Sequence, residues 1–181
     1  VGYYAPEEAA SAELEHLTDV LSTLPHVASV DAFQRWIYTD PDGGDADARD
    51  RRWLALRTRF ERGVDWTGLE RERVARWYRQ LHIFELPFYY IEYGIAQLGA
   101  LQVWRQALRD QGAAVQRYKT ALSLGGTRSL PEIYAAAGAK LVFDAPTMRE
   151  LVELVEERVH ALQEQLGGGG APPAPRTAAA A

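Results

Sequence analysis

The sequence predicts an all-α fold. Apolar residues recur every three or four positions along most of the chain, and no segment sustains the alternation of a half-buried strand. Three hydroxyl residues each precede a glutamate by three positions, the pattern of a capping box at a helix start.

Pro6-Glu7-Glu8 opens a helix whose apolar side is Leu14, Leu17 and Leu21. Pro25 and His26 read as a loop, and Val27, Val30, Phe33, Trp36 and Ile37 form a second stripe beyond it. Asp40-Pro41-Asp42-Gly43-Gly44 is a loop by turn chemistry. Trp53, Leu56 and Phe60 mark a third helix, and Leu69, Val74, Trp77 and Leu81 a fourth, started by Thr67 with Glu70. From Phe88 to Trp104 the only charge is Glu92, so this stretch predicts one central helix buried on all sides. Pro87 fits its first turn, and Gly94 and Gly99 allow a neighbouring backbone to approach. Gly125-Gly126 and Gly138 stand where helices should stop. Ser129 with Glu132 and Thr147 with Glu150 are the other capping boxes. From Gly167 the chain holds only Gly, Pro, Ala, one Arg and one Thr, with no large apolar side chain to bury. Residues 1–166 are therefore expected to fold, and 167–181 to be a disordered tail.

The chain has 181 residues, 47% hydrophobic and 25% charged, enough for one core or two small ones. It has no cysteine, which excludes disulfides, thiol catalysis and thiolate metal sites. A net charge of -5 gives nothing to recommend nucleic acid. No apolar run reaches the roughly 18 residues of a transmembrane helix. The chain opens on Val1-Gly2 without an initiator methionine, and early glutamates leave no signal peptide. It is expected to be a piece of a longer chain.

The residues with most chemistry are Tyr89, Tyr90 and Tyr93, with His82 in the turn predicted before Pro87. Tyr90 and Tyr93 are three apart on one helix face, and Gln97 follows them. Phenol and imidazole groups are donors able to stabilise an oxyanion where water is scarce. The same spacing also suits core packing, so the residues alone leave both readings open. His16 beside Glu13 and Glu15, and His160 after Glu156, each lack a third ligand and read as exposed helix surface. His26 is expected to do no chemistry. Arg49 to Arg79 is interleaved with Asp50, Glu61, Asp65, Glu70 and Glu72 and reads as a solvated face with ion pairs.

The stretch Leu81-His82-Ile83-Phe84-Glu85-Leu86-Pro87-Phe88-Tyr89-Tyr90-Ile91-Glu92-Tyr93 resembles the C-terminal signature of oligoendopeptidase F-type zinc metallopeptidases, of the thimet oligopeptidase family. The resemblance extends to Val30 through Tyr38, to Val64-Asp65-Trp66, and to Leu124-Gly125-Gly126-Thr127 through Leu130-Pro131-Glu132. It spans most of residues 3–166. It implies an all-helical C-terminal subdomain of a cytoplasmic zincin-type metalloendopeptidase that hydrolyses short peptides. In that family zinc is held by an H-E-x-x-H helix and a later glutamate. This chain has no H-E-x-x-H, so the zinc ligands of the parent enzyme are implied to lie in a missing N-terminal catalytic half. The resemblance makes His82 a substrate-binding and oxyanion-side donor, Tyr93 the principal hydroxyl donor and Tyr90 its helical neighbour. Tyr89 competes with Tyr90 for the place facing substrate, and Glu92 supports the structure. The chain by itself is expected to be inactive. Two other readings are a non-catalytic helical interaction module and one chain of a split peptidase.

Overall fold

In the computed structural model, which describes residues 3–167, the first helix (α1, Pro6–Thr39) runs unbroken through Pro25. The sequence suggested two helices parted by a loop at Pro25-His26. Proline removes one helical hydrogen bond and costs about 3 kcal/mol inside a helix. The cost is met because the apolar register continues across it. Leu17 and Val20 are buried on one side of Pro25, and Val27, Val30 and Phe33 on the other. At its start the Ala5 N–H donates to the Glu8 carboxylate at 2.9 Å.

Two cores hang on this one helix. The first joins Ala10, Leu17 and Val20 of α1 to Leu98 and Leu101 of α5 (Ile91–Ala107) and Leu151, Val155 and Leu162 of α8 (Ala145–Gln165). Arg158 of α8 donates two hydrogen bonds, at 2.8 and 2.7 Å, to the Glu13 carboxylate of α1. The second core joins Val30 and Phe33 to Trp53 and Leu56 of α2 (Ala46–Phe60), Trp77, and Ile83 of α4 (Leu81–Glu85). Phe33 packs edge-on to Trp53 and Trp77, with ring centres 5.3 and 5.4 Å apart. Each indole N–H is satisfied, Trp53 donating to the Arg73 carbonyl and Trp77 to Asp50.

The loop after α1 closes into a 3-10 helix, Pro41–Gly44, with the Asp40 carboxylate accepting from the Asp42 N–H at 3.0 Å. Gly43 is buried there, and any side chain would overlap the Ile37 carbonyl. The single helix expected from Leu69 to Leu81 is three pieces: α3 (Glu70–Ala75), a 3-10 turn over Arg76–Arg79, and α4. Thr67 does not cap it. Asp65 takes both the N–H and the hydroxyl of Thr67, and Glu70 accepts from the Gly68 N–H instead. The box at Ser129 and Glu132 does form, at the start of α7 (Leu130–Ala136). At α8 the cap is Asp144, three residues before Thr147, and Glu150 pairs with Arg105. Gly125 and Gly138, both at positive φ, end α6 (Gln111–Leu124) and α7.

The central helix is shorter and less buried than its composition suggested. α5 begins at Ile91, and Pro87 lies in the turn before it. Gly94, Leu98, Leu101 and Gln102 are buried, while Glu92, Tyr93, Ala96 and Ala100 face outward. Apolar composition records what a helix needs around it. Here α1, α6 and α8 cover one side of α5. Gly94 is approached by the Val27 side chain and Gly99 by the Tyr134 hydroxyl, rather than by a backbone. Among the described residues there is no strand, and no helix is long and apolar enough to cross a membrane. Of the expected tail, 167–181, only Gly167 is among the described residues, in a turn at the end of α8, and 168–181 lie outside them.

Candidate active site

His82 sits on α4 rather than in a turn. That helix has only five residues, too few to be stable alone, so its place depends on tertiary contacts. Ile83 anchors it in the second core. Gln34 of α1, fully buried, does the rest. Its amide N–H groups donate to the His82 carbonyl at 3.0 Å and the Leu86 carbonyl at 3.4 Å. Its amide oxygen accepts from the Phe88 N–H at 2.9 Å. The Tyr38 hydroxyl donates to the Ile83 carbonyl at 3.2 Å. Phe88 has φ 58°, a left-handed conformation that is uncommon for a bulky side chain and costs energy. The Gln34 hydrogen bond holds it there and turns the chain toward α5.

The turn brings together the four side chains that the sequence singled out. The Tyr93 hydroxyl lies 3.4 Å from His82 Nε2. Tyr89 is stacked on the His82 ring, with centres 5.9 Å apart. Tyr90 stands edge-on to His82 at 5.0 Å and to Tyr93 at 5.2 Å. The phenols differ in depth. Tyr89 and Tyr93 are 49% and 46% exposed, whereas Tyr90 packs against the second core. Burial, with a smaller effect of Tyr93, pushes the Tyr90 phenol above its ordinary value, so it stays protonated. Gln97 lies one turn further along α5.

Behind Tyr90 is a group that sequence reasoning dismissed. The His26 ring stands edge-on to Tyr90 at 5.7 Å. Its Nδ1 lies 3.1 Å from Arg57 Nη1. A guanidinium can only donate, so Nδ1 accepts and the imidazole is neutral. Burial first, then the charges of Arg57 and Arg76, lower its pKa to about 4, against the opposing effects of Glu61 and the Gln80 side chain. Arg57 is itself only 5% exposed and pairs with Glu61. Glu61 also accepts from Arg76 and from the Trp66 indole, each at 3.0 Å. Burial raises the Glu61 pKa, but these partners hold it below its ordinary value. The arginine-rich stretch is thus not wholly a solvated face, because its centre is a buried network. Gln34 had a visible signal, a polar residue in register with Val30 and Ile37 on an apolar stripe. His26 and Arg57 had none, since their contact joins residues 31 positions apart.

A depressed histidine pKa sets an acid limit on stability. The unfolded chain binds a proton at His26 near pH 6.5, while the folded chain resists until about pH 4. Stability from this group is complete above pH 6.5 and is lost as pH falls toward 4. Urea unfolding at pH 7 and pH 4.5 should differ by about 2–3 kcal/mol. His26→Gln should remove most of that difference, and an unchanged slope would contradict the assignment.

Among the described residues no three His, Asp or Glu side chains are grouped to hold a metal ion. His16 and His160 are exposed on α1 and α8. No curated protein sequence matches the chain. The chain is similar to PZ peptidase A, solved with an inhibitor, at 30% identity and a TM-score of 0.76, over 84% of this chain and 27% of that one. It is also similar to a protein described as an oligoendopeptidase F, in a 3.1 Å X-ray structure. There the identity is 31% and the TM-score 0.73, over 86% of this chain and 27% of that one. The chain spans about a quarter of the length of these two structures. The sequence pattern of peptidase family M3 matches residues 3–153, from the first described residue into α8. With that match and two peptidase structures sharing its helices, the chain belongs to peptidase family M3 and fits a C-terminal part of such a peptidase.

Proposed function

We propose that this chain forms the substrate-binding and transition-state-stabilising wall of a cleft in a cytoplasmic metalloendopeptidase acting on short peptides. The observation that carries the reading is the meeting of the Tyr93 hydroxyl and His82 Nε2 at 3.4 Å on an exposed face, with the Tyr89 ring beside them. Hydrolysis of a peptide bond passes through a tetrahedral intermediate whose carbonyl oxygen becomes negative. A donor fixed at that oxygen stabilises the transition state more than the substrate. Tyr93 donates its phenolic proton to the oxygen. His82 sets the direction of that hydroxyl and bonds the substrate backbone. Tyr89 offers a ring face to a substrate side chain. Tyr90 packs beneath all three.

M3 is a zinc metallopeptidase family. The described residues do not fit a zinc ion, since no ligands are grouped among them, and the sequence has no H-E-x-x-H. The reading therefore places the metal and the general base in a separate catalytic half that closes over this face. Leu86, Phe88, Tyr89 and Tyr93 are all half exposed around the site, which favours such a cover. Exposed apolar patches of several hundred Å² promote association. The isolated chain should accordingly bind a hydrophobic dye or self-associate in sedimentation. A dye-free monomer would favour the second reading, an interaction module that kept the fold without the chemistry.

The coding DNA upstream of Val1 gives the most direct test. An in-frame H-E-x-x-H there supports a single-chain peptidase. The same motif in a separate neighbouring frame supports a split enzyme. A start codon at this segment, with no such motif in any copurifying chain, would overturn the enzymatic reading.

A further inference from the structure

His82 and Tyr93 belong to different helices, so their 3.4 Å approach depends on how α4 and α5 are held against each other. Gln34 fixes the carbonyls of α4 and the Phe88 amide. Tyr89 and Tyr90 both touch His82 and Tyr93, and Tyr90, at the root of α5, is the one of the two that packs inward against the second core. What stands behind Tyr90 therefore governs the pair.

That group is His26. It meets Tyr90 edge-on at 83° and accepts from Arg57 of α2. One imidazole thus joins α1, α2 and the root of α5. Its backstop is stiff. The Arg57 guanidinium lies 5.6 Å from the Trp53 ring centre and is tied to Glu61, itself held by Arg76 and Trp66.

We infer that His26 is a positioning residue for the His82–Tyr93 pair, a neutral wedge between Arg57 and Tyr90 that sets the approach of α5 to α4. This inference rests on the peptidase reading above. The side-chain chemistry favours histidine at this place. Phenylalanine would keep the ring against Tyr90 but leave the buried Arg57 N–H without its acceptor. Glutamine would supply acceptor and donor while losing only the ring edge. The groups around it keep it neutral: Arg57 and Arg76 oppose a second positive charge and outweigh Glu61 and the uncharged Gln80 side chain, which favour one. His26 touches no reacting atom in this arrangement. It acts through geometry, and displacement of a catalytic group by about 1 Å costs on the order of a hundredfold in rate.

The test uses the complete peptidase, a short fluorogenic peptide, and four variants: His26→Phe, His26→Gln, His26→Asn and, as reference, Tyr93→Phe. Turnover is referred to folded protein measured by circular dichroism. His26→Phe is expected to lower kcat about tenfold, with KM within about twofold. His26→Gln should recover kcat to within about threefold of the parent, a rescue that loss of folded protein would not produce. His26→Asn keeps a polar acceptor but withdraws the ring from Tyr90, and keeps the test open if His26→Phe does not fold. It should lower kcat about threefold. Normal kcat in His26→Phe, or in His26→Asn if that variant must decide, overturns the inference when Tyr93→Phe is disabled, and leaves the peptidase reading standing. Normal kcat in Tyr93→Phe removes the site assignment on which the inference rests, and the inference with it.

Discussion

Replacement of Tyr93 by phenylalanine is expected to lower kcat of the complete peptidase by about 10²–10³, equivalent to about 2.7–4 kcal/mol. The change removes one oxygen and leaves the ring in its contacts with Tyr89 and Tyr90. Because Tyr93 is half exposed and the one partner of its hydroxyl among the described residues is His82 at a long 3.4 Å, the hydroxyl has little structural work to lose. A purely packing role would change stability by about 1 kcal/mol and leave turnover alone. KM should move much less than kcat, since the bond strengthens as charge develops on the carbonyl oxygen. His82→Ala should show a related loss with a larger effect on KM, because it also removes the ring stacked on Tyr89. Steady-state kinetics on one peptide, with Tyr89→Phe and Tyr90→Phe in parallel, separates the roles. Full turnover in Tyr93→Phe would remove the site assignment while leaving the fold and family intact.

Gln34→Ala carries the largest expected effect on stability, a loss of about 3 kcal/mol. Truncating a buried side chain leaves a cavity. Here it also strips hydrogen-bond partners from the carbonyls of His82 and Leu86 and from the N–H of Phe88. Phe88 would then lose the hydrogen bond that holds its left-handed backbone, and the turn that delivers Tyr89 and Tyr90 should relax. Denaturant melts would register the first effect, and faster proteolysis between Leu86 and Tyr90 the second. Gln34→Glu should be worse than alanine, since it presents a buried carboxylate to two carbonyl oxygens. A melting midpoint unchanged by both substitutions would remove Gln34 from its role.

Much of this architecture can be read from spacing. The stripes along α1 and α2 are local patterns, and the structure buries Leu17, Val30, Phe33, Trp53 and Leu56 as those patterns require. The clustering of His82 with Tyr89, Tyr90 and Tyr93 is also nearly local, because eleven positions connect its ends. Errors arise where a local rule meets a competitor. Pro25 breaks a helix in isolation, but two buried faces outweigh it. Thr67 is a good cap until Asp65 takes its hydroxyl. Thr147 follows a better cap in Asp144. The expectation of a helix buried all round assumed that apolar residues find cover within this chain. The outward side of α5 does not find it among the described residues. The supports of the site are hidden for a different reason. Gln34 reaches residues 48 to 54 positions away and Arg57 reaches back 31, distances over which no periodicity speaks.

The sharing of α1 between two cores has a consequence for how the protein emerges from the ribosome. The second core needs only residues from Val30 to Ile83, so the scaffold beneath the His82 turn can close early in synthesis. The first core must wait for Leu162 to meet Ala10 and Leu17. At about 5–20 residues per second, several seconds separate the two events. Through most of that interval the N-terminal half of α1 has Leu98 and Leu101 of α5 but not yet Leu151, Val155 and Leu162 of α8, so this closure is half made. The order of synthesis thus builds the end of the molecule that carries His82 and the three tyrosines before the end that ties α1 to α8.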